Sequence, residues 1–154
     1  MNNLWRPTSN VKITVRDFDG NILDIQEHRN LLTTDGFNMV RDGLYGDVVD
    51  LQTKYMAVGD DSTAPVIADS TLGNETFRKI ATSRSKPADA QVQFTLYLDP
   101  TEAIGTIEEI GWFAGAAAGA GADSGIMIAR VLYSRVKTGA ESITVERIDT
   151  FQEG

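Results

Sequence analysis

Alternation of apolar and polar positions runs through most of this chain. Val11, Ile13 and Val15 alternate with Lys12, Thr14 and Arg16, and Leu23, Ile25 and Glu27 interleave with Ile22, Asp24 and Gln26. Successive side chains of a strand point to opposite faces, so a period of two reads as a sheet with one wet side. Asp17-Phe18-Asp19-Gly20-Asn21 lies between the two stretches and is rich in residues that accept tight turns. Residues 11–28 are therefore predicted to form a β-hairpin. Strand character returns over Thr53–Val58, Lys79–Ser83, Ala90–Leu98, Gly105–Phe113, Ile126–Val136 and Ser142–Phe151. Turn residues from Gly59 to Pro65 stop the first of these. The pattern of Ser70–Arg78 fits a helical turn or an irregular connection.

One segment follows a different period. Phe37, Val40 and Leu44, with Tyr45 beside them, recur at spacings of three and four, as one face of a helix requires. Thr33, Thr34 and Asp35 precede them and supply oxygens for the first unpaired amides. These signals predict a helix from about Asp35 to Tyr45, ending near Gly46. Gly36 and Gly43 lower its intrinsic propensity, so tertiary packing must hold it. About eight strands and one short helix predict a mainly β protein, an antiparallel β-sandwich or jelly-roll-like domain. Residues 1–10 read as an N-terminal arm, and 11–154 as a single β-rich domain.

The connection Ala114–Gly125 is almost entirely Ala and Gly, with Asp123 and Ser124 as its only reactive side chains. It joins two strand-like runs at a hairpin tip and lacks the bulk for a core of its own. Such a loop is expected to be mobile or ordered by a neighbour. Small residues also let two backbones approach closely, which makes Ala114, Gly115, Ala118 and Gly121 candidate partner contacts. Leu4 and Trp5 are two more, because a Trp in a polar arm folds back or docks elsewhere.

Composition narrows the chemistry. The 154 residues fit one domain large enough to bury a core without staples. With 22 acidic against 14 basic residues, the net charge of −8 opposes nucleic-acid binding, which needs clustered Lys and Arg. No cysteine is present, which excludes disulfides, thiolate metal sites and a cysteine nucleophile. No run reaches the roughly 18 to 20 apolar residues of a membrane span, and Met1–Pro7 lacks the pattern of a secretory signal.

Candidate reactive groups are sparse. His28 is the only histidine, so no site needing two imidazoles can form, and no serine sits in a Gly-x-Ser-x-Gly elbow. Glu108 and Glu109 are neighbours in a predicted strand and point to opposite faces, so they do not form a catalytic pair with each other. Whichever faces inward needs an Arg or backbone partner, since an unpaired buried charge is expensive. Asp60, Asp61, Ser62 and Thr63 lack the ligand spacing of a calcium loop and read as a turn. Gly115–Gly121 lacks the Lys and spacing of a phosphate loop. No catalytic, cofactor-binding or metal-ligating residue is assigned, and no cofactor is expected. An aromatic platform for sugars has only Trp112, Tyr97 and Tyr133 to draw on, and their alternating neighbours favour core burial.

Tyr55-Met56-Ala57-Val58-Gly59 with a polar turn, Leu72-Gly73-Asn74-Glu75-Thr76-Phe77-Arg78, and Ile107-Glu108-Glu109-Ile110-Gly111-Trp112-Phe113, in that order, form a recognisable set. With Asn30–Gly36 before them and Met127-Ile128-Ala129-Arg130-Val131 after, they resemble small virion structural proteins of tailed bacteriophages over roughly residues 30–151. That resemblance implies a non-enzymatic β domain of a capsid decoration, tail, baseplate or fibre. Its partners would be copies of itself, as a trimer or ring, and other virion proteins, with neither nucleic acid nor membrane. Its location would be the virion, after synthesis in the host cytoplasm. A carbohydrate- or receptor-binding tail module is the alternative, followed by a small carboxylate-dependent hydrolase. Within the protomer, Arg78 is expected to pair with Glu108 or Glu109.

Overall fold

The computed structural model describes residues 5–153, with side chains from Pro7 to Gln152. Ten strands and one helix succeed one another: β1 (Trp5–Asp17), β2 (Ile22–Arg29), β3 (Leu31–Leu32), α1 (Thr34–Tyr45), β4 (Thr53–Gly59), β5 (Glu75–Ile80), β6 (Ser83–Ser85), β7 (Gln91–Leu98), β8 (Gly105–Ala114), β9 (Ile126–Lys137) and β10 (Glu141–Glu153). They form two five-stranded sheets in the orders β2-β1-β10-β7-β6 and β3-β9-β8-β4-β5. The first holds both terminal strands and is called the terminal sheet below; the second is the central sheet. Their pairings are antiparallel, and the protein is a β-sandwich, as the alternation predicts.

Inward positions of both sheets meet in one core. Val11, Ile13, Val15, Leu96, Leu98, Ile143 and Val145 from the terminal sheet face Met56, Val58, Ile110, Trp112, Ala129, Val131 and Tyr133 from the central one. Fully burying a large apolar side chain contributes about 1.5–3 kcal/mol, which offsets the entropy of ordering the strands.

Three expectations are corrected here. First, residues 5–10 are not a separate arm: β1 pairs with β10 from Trp5↔Glu153 to Asp17↔Glu141. Pro7 is tolerated because β2 joins β1 only from Asn10 onward, which leaves Pro7 on an open edge. Leu4 and the side chain of Trp5 lie outside the described residues.

Second, the single strand expected over Lys79–Ser83 is two strands in different sheets. Ala81 N donates to Lys54 O at 2.8 Å in the central sheet, and Thr82 N donates to Thr95 O at 2.7 Å in the terminal one. Two consecutive small residues thus carry the chain from one layer to the other.

Third, α1 has the expected limits but not the expected buried face. Thr33 caps it, accepting from Gly36 N at 3.0 Å while donating to Met127 O at 2.5 Å. Gly46, in the left-handed region, ends it. Gly36 and Met39 are buried, whereas Phe37, Leu44 and Tyr45 are exposed. A Cβ at Gly36 would lie 2.9 Å from Ile128 O, so the glycine permits the helix to rest directly on β9.

Candidate functional site

The Ala-Gly connection is held by its own chain. Arg78 on β5 donates from Nε and Nη2 to the two carboxylate oxygens of Glu75, at 2.7 and 2.8 Å. Its Nη1 reaches across to the loop, donating to Ser124 O at 2.8 Å, Ser124 Oγ at 3.0 Å and Gly119 O at 3.2 Å. Glu75 also accepts from Asp123 N at 3.1 Å, and Ser124 Oγ donates to Gly121 O at 2.7 Å. The guanidinium lies over the Phe113 ring, 4.0 Å from its centroid. Both charged side chains are only 3% exposed, so the pair is dry and its hydrogen bonds are strong. Burial, with Glu75 nearby, pushes the Asp123 carboxyl above its ordinary range.

The expected partner of Arg78 is therefore corrected from Glu108 or Glu109 to Glu75. Residues three apart on a regular strand face opposite ways. Here the β4–β5 register shifts between Val58↔Phe77 and Gly59↔Glu75, and that bulge turns Glu75 to the face of Arg78.

A second clamp lies on the same outer face. Glu109 is fully buried and accepts from Arg130 Nε at 2.7 Å, Asn74 N at 2.9 Å and Gly73 N at 3.1 Å. Arg130 continues to Asp69 at 2.8 Å and to Thr63 O at 3.0 Å. Burial works against the charge of Arg130, but Asp69 and Glu109 more than offset it and raise its pKa. The buried glutamate thus has both an Arg and backbone partners, as the cost of a buried charge requires, although it lies beneath the loops of the outer face and not toward the core between the sheets. Glu108 points outward, where it accepts from Ser134 Oγ at 3.0 Å. Asp60 and Asp61 serve separate turns, accepting from Asn74 Nδ2 and Thr63 N respectively, both at 2.6 Å. These two clamps fasten loops, and their polar atoms are directed at the chain itself.

The candidate contact residues of the loop divide. Ala114 is fully buried at the end of β8, and Gly115 is buried with its N–H donated to Gln52 O at 3.2 Å. Neither offers surface to a partner, which corrects those two candidates. Ala118 is half-buried and packs on the small cluster of Ala57, Leu72, Phe113 and Met127. Gly121 is exposed. His28 shares a 3.1 Å hydrogen bond with Gln26 and meets the Tyr133 ring edge-on. Trp112 and Tyr133 are buried in the core, leaving Tyr97 alone on the surface of the three proposed platform rings.

The unpredicted feature is the helix end. Leu44 and Tyr45 are each 81% exposed and Val49 98%, with Phe37 and Leu51 also exposed. Leu51 packs against Gly43 of α1, and Thr34 N donates to Ile67 O at 2.7 Å, which draws exposed Val66 and Ile67 to the start of the helix. Beneath α1 opens an apolar cavity of about 250 Å³, lined by Leu32, Phe37, Met39, Val92 and Phe94, with Arg147 at its wall. Arg147 and Asp149 form a buried bidentate pair there. Arg147 also lies 5.4 Å from the Trp112 ring centroid and 5.6 Å from that of Phe94. Among the described residues, Nη1 of Arg147 has no hydrogen-bond partner. The apolar spacing of α1 was visible in the sequence; which face the helix buries was not.

No protein-family model, curated protein or solved structure matches this chain.

Proposed function

We propose that this chain is a non-enzymatic structural protein of a tailed-bacteriophage virion, a capsid-decoration, tail, baseplate or fibre component that works through protein–protein contacts. The observation that carries the reading is the apolar surface at the helix end. Single exposed apolar residues are ordinary. Here Leu44, Tyr45, Val49 and Leu51 lie within one short stretch of chain at one end of the sandwich. Clustered apolar exposure marks a surface that is covered in the working assembly. The polar groups of the loop clamps are engaged internally, which favours a rigid scaffold presenting a surface over a reacting centre. The net charge of −8 suits partners with basic rims around an apolar centre.

The test is incorporation into particles. A Leu44→Asp, Tyr45→Asp double variant changes two highly exposed side chains and is expected to melt within a few degrees of the parent, since surface changes shift stability little. Particles assembled with it should contain at least about tenfold less of the chain by mass spectrometry, the effect of a lost interface anchor. Equal incorporation of the two chains would overturn the reading.

A further inference from the structure

The terminal sheet ends on β2 in a form suited to a second copy of this chain. Among the described residues, β2 pairs only with β1, so one row of its backbone groups has no strand beside it. The other strands at sheet edges are shorter: β3 has two residues, β6 three and β5 six, against eight for β2. Of the devices that blunt natural edges, β2 lacks Lys and Pro; it has a bulge at Leu23 and the inward-facing Asp24, which leave Asp24 to Arg29 as its regular edge.

The side chains of β2 are inverted for a strand of a solitary sandwich. Asp24, Gln26 and His28 take the half-buried face toward β9, while Ile22, Leu23 and Ile25 are about half exposed. On the inward face the polar groups already form a row, with Gln26 Nε2 donating to Asp24 at 2.9 Å and Gln26 Oε1 meeting His28 Nε2 at 3.1 Å.

Antiparallel pairing of this strand with itself has few permitted registers. Residues directly opposite must share a face, so the two-fold axis passes through a residue and not between two. Centred on Glu27, the pairing sets two like charges against each other, which is destabilising. Centred on Ile25, it leaves Asp24 opposite Gln26 and Glu27 opposite Leu23, with no charge matched. Centred on Gln26, it places each Asp24 opposite the other copy's His28, Gln26 opposite itself, and Ile25 opposite the aliphatic stem of Glu27. That register extends the polar row across both copies and covers the exposed Ile25.

We propose that β2 forms an isologous antiparallel dimer centred on Gln26, making one continuous ten-stranded sheet from two terminal sheets. The proposal rests on the assembly role above and identifies one of its contacts. The partner is a second copy because the complementarity belongs to the strand paired with itself. An interface of this length falls in the weak, transient class, so the dimer should dissociate in the micromolar range.

Absence of cysteine from the chain makes the register directly readable. Side chains directly opposite on an antiparallel pair lie within reach of a disulfide. Gln26→Cys should therefore oxidise to a covalent dimer at least about tenfold faster than Ile25→Cys or Glu27→Cys. In sedimentation equilibrium the unmodified chain should be a reversible dimer, and Ile25→Glu, which faces Glu27 of the other copy, should weaken it at least about tenfold. A chain that stays monomeric at concentrations on the order of 1 mM, a dimer indifferent to Ile25→Glu, or equal cross-linking at all three positions would each overturn the proposal. A monomer that still enters particles removes this dimer alone. A dimer that persists while the Leu44, Tyr45 variant incorporates normally supports the β2 contact and removes only the helix-end reading.

Discussion

The two outer faces of the sandwich are built from similar alternating strands and end in opposite states. Outside the terminal sheet, Lys12, Glu27 and Glu146 lie in one cross-strand row and Thr14, Thr144 and Tyr97 in the next, and among the described residues no apolar cluster lies over them. Outside the central sheet, the connections over residues 60–74 and 115–125 lie across the strands and enclose a second small core. Neither connection has enough apolar bulk to stay down unaided; Leu72 and Ala118 are its main contributions. A strand arginine supplies the remaining order in each case, Arg130 for the first and Arg78 for the second. Charges are buried on this face because they satisfy loop backbone that apolar contacts cannot.

The comparison is most exposed at Arg130. Replacing it with Ala leaves Glu109 buried with only two backbone donors, and breaking a buried pair from one side costs about 3–5 kcal/mol. The urea midpoint of Arg130→Ala should fall accordingly, and amide exchange over residues 60–74 should rise before that of the strands. The matched change Lys12→Ala on the terminal sheet should lower the stability by less than about 0.5 kcal/mol. Similar losses at the two sites would erase the difference between the faces.

The interior shared by both faces sets an alkaline limit. Burial pushes the Tyr133 hydroxyl to about 12 from its ordinary 10.0, with the nearby Arg135 charge opposing the rise. Its Oη has no hydrogen-bond partner among the described residues. An acid whose pKa is higher in the folded state keeps its proton there while the unfolded chain loses it. Stability therefore falls as pH rises from 10 toward 12, by on the order of 2–3 kcal/mol in total. Tyr133→Phe should be close to neutral at pH 7 and lose stability less steeply above pH 10. Parallel alkaline slopes for the two chains would place that hydroxyl in contact with water.

These clamps were only partly legible in the sequence, and the reasons differ by residue. β1, β7 and β10 were readable because each has one wet face, so burial writes itself as alternation, whereas β2 alternates with its polar side inward and β8 is buried along most of its length. Glu109 announced the need for a partner, because a carboxylate on a covered face is costly alone, but nothing in the chain order singled out Arg130. Glu75 and Arg78 were missed as a pair because the bulge that aligns them is a property of β4–β5 register. The buried face of α1 was hidden by its own chemistry: Gly36, Met39 and Gly43 repeat at helical spacing one residue before Phe37, Val40 and Leu44, and glycine carries no hydrophobic signal. Residues 5–10 look like an arm because a sheet margin can afford Pro7 and polar neighbours.

Ser124 offers the finest test of what holds the loop. Its hydroxyl accepts from Gly119 N and Arg78, and its single proton is donated to Gly121 O at 2.7 Å, with Gly119 O at 3.0 Å as the alternative acceptor. Removing it in Ser124→Ala deletes these bonds but leaves Arg78 bound to Glu75 and to the Ser124 carbonyl. The expected loss is about 1 kcal/mol, the net worth of a side-chain hydrogen bond, and it should be local. Amide exchange at Gly119 and Asp123 should accelerate while β8 and β9 keep their protection. Should the loop keep full protection without the hydroxyl, Arg78 and the seating of Ala118 on the small core suffice, and the serine is a consequence of the loop's shape. Should protection be lost along β8 and β9 as well, the loop is part of the cooperative core, and the central sheet's cover is as integral to folding as the interior beneath it.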